Sequence, residues 1–527
     1  MVLAIVYSAV TTVLPFKYWP HAAVGTAVLV VLYAYAQGRT TNRERDLHAR
    51  VIVLTGAFNP LGLVALAALA KRGATVIALS PYPLDHPVPS LLLPLLRSTT
   101  NNDSIYAEPC DLNSATSIRK FCTTFLTGND TRIDAIVLAH EYTSIGRIWF
   151  FGGQAQKDKE KREEEQREST SLSSFLLITL LLPALLVAPV ERDVRIISIV
   201  NPFYAAALPT FPAFLNSTAT SPAHTSTLLS AEGLRSLRTV ILTRHLQRIL
   251  DSLPNRASDA QSNGPPASSS SKETPPLPPP HPSNILSVTA CPGMSRRDIV
   301  APLVGTGERG WSLAYLVLVP FLLFLTKSSN AAIQTLLHVL FLPTPLKRMQ
   351  AKVDLAADEE ARKAEEAAAR KARAEDGEDA AAPASEPGAK DAKRGPPRVG
   401  NVEVLKPGAL YRECAIVRLD VPVPPRPVVE ENEPKSKADG KKGKAAEAEI
   451  PLEDDGEFGG EAVGRAVWEW YEVRLKDWEA RDKERVKAEE EAVAKEKAEA
   501  EAEANASAPA GPTVVVTEAD DTPTANT

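Results

Sequence analysis

Residues 51–62, VIVLTGAFNPLG, are the stretch where residue types and spacing come nearest to a known chemistry. An apolar, β-branched run ends in Thr55-Gly56, and Gly62 follows six residues later. A strand that turns into a helix through glycines places backbone N–H groups at the helix N-terminus, where a phosphate can bind. Pro60 stands where such a turn would place a glycine, and proline adds a ring and removes a donor. The same residues also make a plain strand-to-helix junction, with Asn59 as N-cap and Pro60 at the first helical position. His140, at the end of another apolar run (IDAIVLAH, 133–140), is either a base or a structural histidine. Cys110, Cys122, Cys291 and Cys414 are scattered without a CxxC pair, so neither a zinc site nor a disulfide framework is expected, and the thiols are read as reduced.

These residues need a scaffold, and the apolar pattern supplies one. The chain has 527 residues with 43 prolines, many of them in Ala/Glu/Lys/Ser-rich stretches. Removing those stretches leaves roughly 250–300 residues able to build a core, about one large domain. The net charge of −6 carries no nucleic-acid footprint. Strand-like runs at 50–55, 75–80, 104–112, 133–140, 194–200 and 284–293 alternate with helical patterns at 60–72, 114–126, 171–186 and 230–250. That alternation predicts an α/β fold with a doubly wound parallel sheet. Residues 88–97 are ambiguous, and 409–424 read as a last, returning strand. The core domain is set at 50–345, with a charged interruption at 154–170 and a Pro/Ser-rich linker at 252–283. A charged low-complexity insertion (346–408), a linker (425–461), a charged helix (462–505) and a disordered tail (506–527) complete the chain.

The first 37 residues predict a retained membrane anchor. Two apolar runs, 2–16 and 22–36, flank KYWPH, each somewhat short of the ~20 residues that span a bilayer. Arg39, Arg43 and Arg45 lie in the basic linker 38–49 and place the following domain in the cytosol by the positive-inside rule. One span and a shallow hairpin both fit, and the endoplasmic reticulum or a lipid droplet is the expected membrane. Sequons at Asn102, Asn129, Asn216 and Asn505 would matter only in a lumenal domain. Residues 311–325, WSLAYLVLVPFLLFL, are read as a core or membrane-contacting helix rather than a span.

In their order and spacing, VIVLTGAFNPLGLVALAALAKRGATVIAL, CDLNSATSIRKF, IDAIVLAH, FLLITLLLPALL, RIISIV, SLRTVILTRHLQRIL and CPGMSRRD resemble the short-chain dehydrogenase/reductase superfamily. Among its branches the chain looks closest to membrane-anchored, retinol-dehydrogenase-like members. The resemblance implies a Rossmann-like sheet and an NADP or NAD site. In that site Thr55 and Gly56 shape the first turn, Gly62 lets the helix pack on the sheet, Asp111 and Leu112 lie beside adenine, and Pro292 and Gly293 line the nicotinamide side. Departures accompany it. Besides Pro60, Ser80 replaces the residue that reads the ribose, and LAHE (138–141) replaces a small, polar strand end. The positions of the family's Asn, Ser, Tyr and Lys carry Thr170, Asn201, Glu232 and Ser236. No phenol or lysine is there to move a proton, and Glu232 would serve only with a raised pKa. Two readings follow: a catalytically impaired binding or scaffolding module, or an active oxidoreductase on a lipophilic alcohol or ketone with a non-standard proton donor. Expected partners are the membrane, a lipophilic small molecule, and proteins bound through the charged arms.

Overall fold

The computed structural model describes residues 19–128, 131–146, 154–189, 192–216, 227–253, 283–304, 313–354, 403–423 and 454–506, with a few isolated positions besides. The first apolar run (2–16), most of the 252–283 and 425–461 linkers, most of the 346–408 insertion and all of the 506–527 tail but its first residue lie outside the described residues.

The apolar runs pair as one eight-stranded sheet, in the order β3-β2-β1-β4-β5-β6-β7-β8. The strands are β1 (Val51–Thr55), β2 (Thr75–Ser80), β3 (Ile105–Pro109), β4 (Ala135–Leu138), β5 (Val194–Ile199), β6 (Ile285–Cys291), β7 (Leu410–Arg412) and β8 (Ala415–Val417). Strands β1 to β7 are parallel, and β8 turns back antiparallel on β7. Every residue of β4, β5 and β6 is buried, which is why these strands read as mainly apolar runs, although Arg195, Ser198, Ser287 and Thr289 are buried among them. The order reverses between β1 and β4, and ligands of doubly wound sheets bind at the strand ends beside such a reversal.

Helices α1 (Trp19–Gln37), α2 (Pro60–Ala70), α3 (Pro87–Thr100), α4 (Ala115–Thr127), α5 (Gln154–Leu186), α6 (Leu228–Ser252), α7 (Leu313–Leu325), α8 (Ser329–Phe341) and α9 (Gly460–Ala506) account for most of the rest. On one face of the sheet α2 and α8 share a core in which Leu61, Leu66 and Leu69 meet Ile333, Leu336 and Leu340. Each such leucine contributes roughly 1.5–3 kcal/mol by leaving water. Helices α4, α5 and α6 pack together. Where α2 ends, Gly73 adopts φ +79° and reverses the chain into β2.

At the other end of the sheet, Asp193 and Arg195 open β5. The Arg195 guanidinium, 2% exposed, bonds Asp193 and donates to the carbonyls of Val339, Leu340 and Leu342. It thereby satisfies carbonyls that the C-terminus of α8 leaves without intrahelical partners. Burial works to raise the Asp193 pKa, but Arg195 and Arg45 hold it down at about 2.

Two expectations are corrected and one open stretch is assigned. Residues 154–170 are no interruption: they form the first half of α5, continuous with its apolar half. Glu, Gln, Lys and Arg are good helix formers, so a charged run extends the helix without any apolar signal. Residues 409–424 are a hairpin rather than one strand, reversed at Glu413 and Cys414, which have φ of 53° and 60°. The ambiguous 88–97 stretch is helix α3, with Pro94 inside it.

The chain divides into two compact units, Met1–Leu475 and Lys476–Thr527. The second begins within α9 and carries pairs at helical spacing, such as Arg485 with Asp482 at 2.7 Å.

Candidate cofactor cleft

The turn after β1 is built by close backbone packing. Gly56 has φ +64°, and a Cβ there would lie 2.9 Å from His140 Cα and N. A Cβ on Gly62 would fall 1.9 Å from the Gly56 carbonyl oxygen, so α2 sits directly on the turn. Pro60 takes the first helical position, as its chemistry predicts. Asn59 does not cap with its side chain. Its amide instead donates to Thr143 Oγ1 at 2.6 Å. The free N–H of Leu61 is taken by Asp298, whose Oδ1 accepts it at 2.8 Å. The Ser295 hydroxyl donates to the other carboxyl oxygen at 2.8 Å. Asp298 is buried, and burial pushes its pKa up. A protein carboxylate thus sits at the first turn of α2, where a helix N-terminus favours an anion.

Strand β4 ends in Ala139, and His140 begins a single turn, His140–Thr143. His140 Nδ1 lies 2.7 Å from Thr55 Oγ1, and Nε2 lies 3.0 Å from the Thr170 carbonyl oxygen. A carbonyl only accepts, so Nε2 carries the proton and Nδ1 accepts the Thr55 hydroxyl. Burial, with a smaller push from Arg235, lowers the ring's pKa to about 4 despite the Thr170 bond. The residue is therefore a neutral pin joining β1 to α5, with both nitrogens engaged. Thr55 also accepts the Ala139 N–H at 3.0 Å.

Tyr142 fills the space toward β6. Its hydroxyl donates to the Gly293 carbonyl at 2.8 Å and accepts the Ser295 N–H at 3.3 Å. Gly293 has φ +91°, and the neighbouring Pro292 carbonyl accepts Lys327 Nζ at 3.1 Å. Asp111 and Leu112 stay apart from this group, beyond the end of β3, two strands out from β1. The Asp111 carboxylate accepts the Asn113 N–H at 3.0 Å and makes a local turn. The Ser80 hydroxyl bonds across its own turn, to the Tyr82 N–H and carbonyl.

The positions matching the family's catalytic set serve packing. Thr170 donates its hydroxyl to the Arg167 carbonyl. Asn201 caps the short 3-10 turn Pro202–Ala207 through the Phe203 N–H, and donates to the Glu232 carbonyl at 3.3 Å. Glu232, 2% exposed, lies between Arg167 at 2.8 Å and Arg235, and also accepts the Gly146 N–H. Ser236 Oγ is buried without a hydrogen-bond partner.

Sequence reasoning missed Asp298, Tyr142, Arg167 and Arg235. The Ser295-x-x-Asp298 spacing is a local capping signal, and Ser295 Oγ does accept the Asp298 N–H at 3.1 Å. Nothing local announces the reach to Leu61. Glu141 was also missed as a titrating group. Burial raises its carboxyl to about 7, against Arg235 and the Thr239 hydroxyl. The unfolded chain loses this proton near 4.5 and the fold keeps it to about 7, so Glu141 costs stability as pH rises through that window. Glu141→Gln keeps an acceptor for Thr239 and removes the titration. Its stability relative to the parent is expected to rise by about 1.4 kcal/mol per pH unit across the window, read by urea denaturation at a series of pH values. A flat difference would show an ordinary carboxyl.

A nicotinamide dinucleotide needs free N–H groups on α2, a path past Gly56, and an open strand end at 292–293. Asp298 takes the Leu61 N–H, the His140 backbone packs against Gly56 and Tyr142 bonds the Gly293 carbonyl, so at these three points the residues present fit the cofactor poorly. Among the described residues no group of three or more His, Cys, Asp and Glu could hold a metal.

No family model matches the chain. It is 28% identical over 181 residues to an uncharacterized oxidoreductase of Schizosaccharomyces pombe, covering 34% of this chain and 46% of that protein. It is 32% identical over 168 residues to an uncharacterized oxidoreductase of Saccharomyces cerevisiae, covering 31% and 40%. The matched segments span less than half the length of these curated relatives. A solved structure described as a short chain dehydrogenase of Shigella flexneri 2a, complexed with NADP, is 14% identical; it covers 55% of this chain and 93% of that one, with a TM-score of 0.35. The resemblance to short-chain dehydrogenases holds at the level of fold: the order β3-β2-β1-β4-β5-β6 is that of a Rossmann-type sheet.

Proposed function

We propose that this chain is a membrane-tethered short-chain dehydrogenase/reductase-like protein whose dinucleotide cleft is filled by its own side chains. In this reading it acts as a binding or scaffolding module rather than by hydride transfer. The observation that carries the reading is the Asp298 carboxylate on the Leu61 N–H, the place a pyrophosphate would take. His140 and Tyr142 support it by closing the path on either side. The competing reading is an NADP- or NAD-dependent oxidoreductase of a lipophilic alcohol or ketone. It is favoured by the names of the two yeast relatives and opposed by the two arginines that hold Glu232.

Tethering is supported by α1. All of its residues are exposed or half-buried, and Trp19 near one end and Tyr33 and Tyr35 near the other suit the two interfaces of a bilayer. A second helical stretch of sufficient length and apolarity, Arg162–Leu186, is mostly buried and reads as a core helix. The domain then faces the cytosol on the endoplasmic reticulum or a lipid droplet, with charged arms free to take protein partners.

Titration of the purified full chain with NADPH and NADH, followed by nicotinamide fluorescence, tests the reading. No saturable binding is expected, whereas saturation at micromolar nucleotide would sink it. The Asp298→Ala chain, with the Leu61 N–H released, is expected to bind inorganic phosphate more tightly than the parent does.

A further inference from the structure

Helix α7 has no charged residue over its whole length. Val317, Phe321 and Leu325 recur at i, i+4 and i+8 and are 66%, 64% and 65% exposed, a continuous apolar stripe on one side of the helix. Leu318 and Leu323 widen it. A patch of this kind marks a surface that is covered in use.

Its neighbours indicate what covers it. Helix α7 packs against α1, the exposed apolar helix read above as the membrane tether. The ends of the two helices are fastened together. Gln37, the last residue of α1, accepts the Ser328 N–H at 3.3 Å and its hydroxyl at 3.0 Å, just past the end of α7. Cations gather where both helices end: Arg39 and Arg297 are exposed, and Arg296 reaches Thr326 Oγ1 at 3.4 Å. Guanidinium groups at the foot of apolar helices match lipid headgroups and let the stems lie along the acyl chains.

Lengths separate the roles of the two helices. Nineteen residues make α1 roughly 28 Å long, close to the ~30 Å hydrocarbon core. Thirteen residues make α7 roughly 20 Å, too short to cross. We propose that α7 is a second membrane-embedded element, lying in one leaflet beside α1, so that the domain is held on the lipid at two points. The proposal rests on α1 being a membrane tether and extends it. The occupant of the stripe is acyl chain.

The foot is joined to the cleft. Lys327, between α7 and α8, bonds the Pro292 carbonyl and pairs with Glu413 at 3.1 Å. Depth in the lipid therefore bears on the strand end that Tyr142 closes.

The test uses the full chain with Cys414, the one cysteine that is not buried, replaced by serine. Single cysteines at Val28, Val317 or Phe321 are labelled with the NBD fluorophore and reconstituted into phosphatidylcholine/phosphatidylserine vesicles. The expected result is blue-shifted emission at all three sites, quenched about twofold by doxyl-labelled lipid and untouched by aqueous iodide, as for buried apolar faces. If Val28 is quenched by lipid while Val317 and Phe321 are quenched by iodide, the second element is overturned and the tether stands. If all three respond to iodide, the tether fails as well. Self-quenching at Phe321 without lipid quenching would assign the stripe to a second copy of the chain and also overturn the proposal.

Discussion

Glu232→Gln is expected to destabilise the fold by about 3–5 kcal/mol, because it takes the near carboxylate from two buried guanidinium groups and leaves Arg167 only the more distant Glu163 at 3.8 Å. Glu232 is almost fully buried, and its oxygens meet Arg167 and Arg235. Both arginines are buried, and Arg235 is anchored elsewhere as well, donating to the Arg167 and Ser144 carbonyls. The Arg235 guanidinium cannot swing into water without breaking those bonds. Urea denaturation measures the loss, and the double variant Glu232→Gln with Arg167→Met is expected to recover part of it, since one orphaned charge goes as well. If Glu232 were a proton donor, Glu232→Gln would keep its stability and lose turnover instead. The two readings of this chain therefore separate on one variant, with or without a known substrate.

The second large effect is expected at Gly62. Alanine is ordinarily better than glycine in a helix by about 1 kcal/mol. Here its methyl would stand 1.9 Å from the Gly56 carbonyl oxygen, and the obstacle is backbone rather than a side chain that can turn away. Helix α2 would have to lift from the turn, loosening Leu61 and Leu66 from the core they share with α8. Gly62→Ala is expected to cost about 3 kcal/mol, the upper part of the range for overpacking, read as a lowered urea midpoint with an unchanged slope. The loss is expected with and without nucleotide in solution, which marks Gly62 as packing rather than ligand contact. An unaltered midpoint would mean that the turn yields.

Strand positions were legible because buried parallel strands are rich in apolar, β-branched residues, as 51–55, 135–138, 194–199 and 285–291 are. Ends were less legible. The fourth run reads to 140, yet the strand stops at Leu138, where Thr55 draws His140 into a turn. The charged half of α5 left no apolar trace. The reversal at Glu413 and Cys414 lacks the glycine or asparagine that usually announces left-handed backbone. Of the residues that resemblance singled out, Thr55, Gly56 and Gly62 share the turn after β1, Pro292 and Gly293 follow β6, and Asp111 and Leu112 lie beyond β3. What the residues do there was not legible. It depends on contacts between distant positions, Leu61 with Asp298 and Thr55 with His140, that no local pattern encodes.

The carboxylate on α2 has a further consequence for the life of the protein in a cell. A fold that waits for a soluble nucleotide gains stability by mass action as that nucleotide accumulates, so its survival follows the metabolic state. Here the counter-ion is covalently part of the chain, tethered through Ser295 and always at hand. On the proposed reading, in which no nucleotide binds, the stability of the protein is expected not to follow the size of the nicotinamide pool.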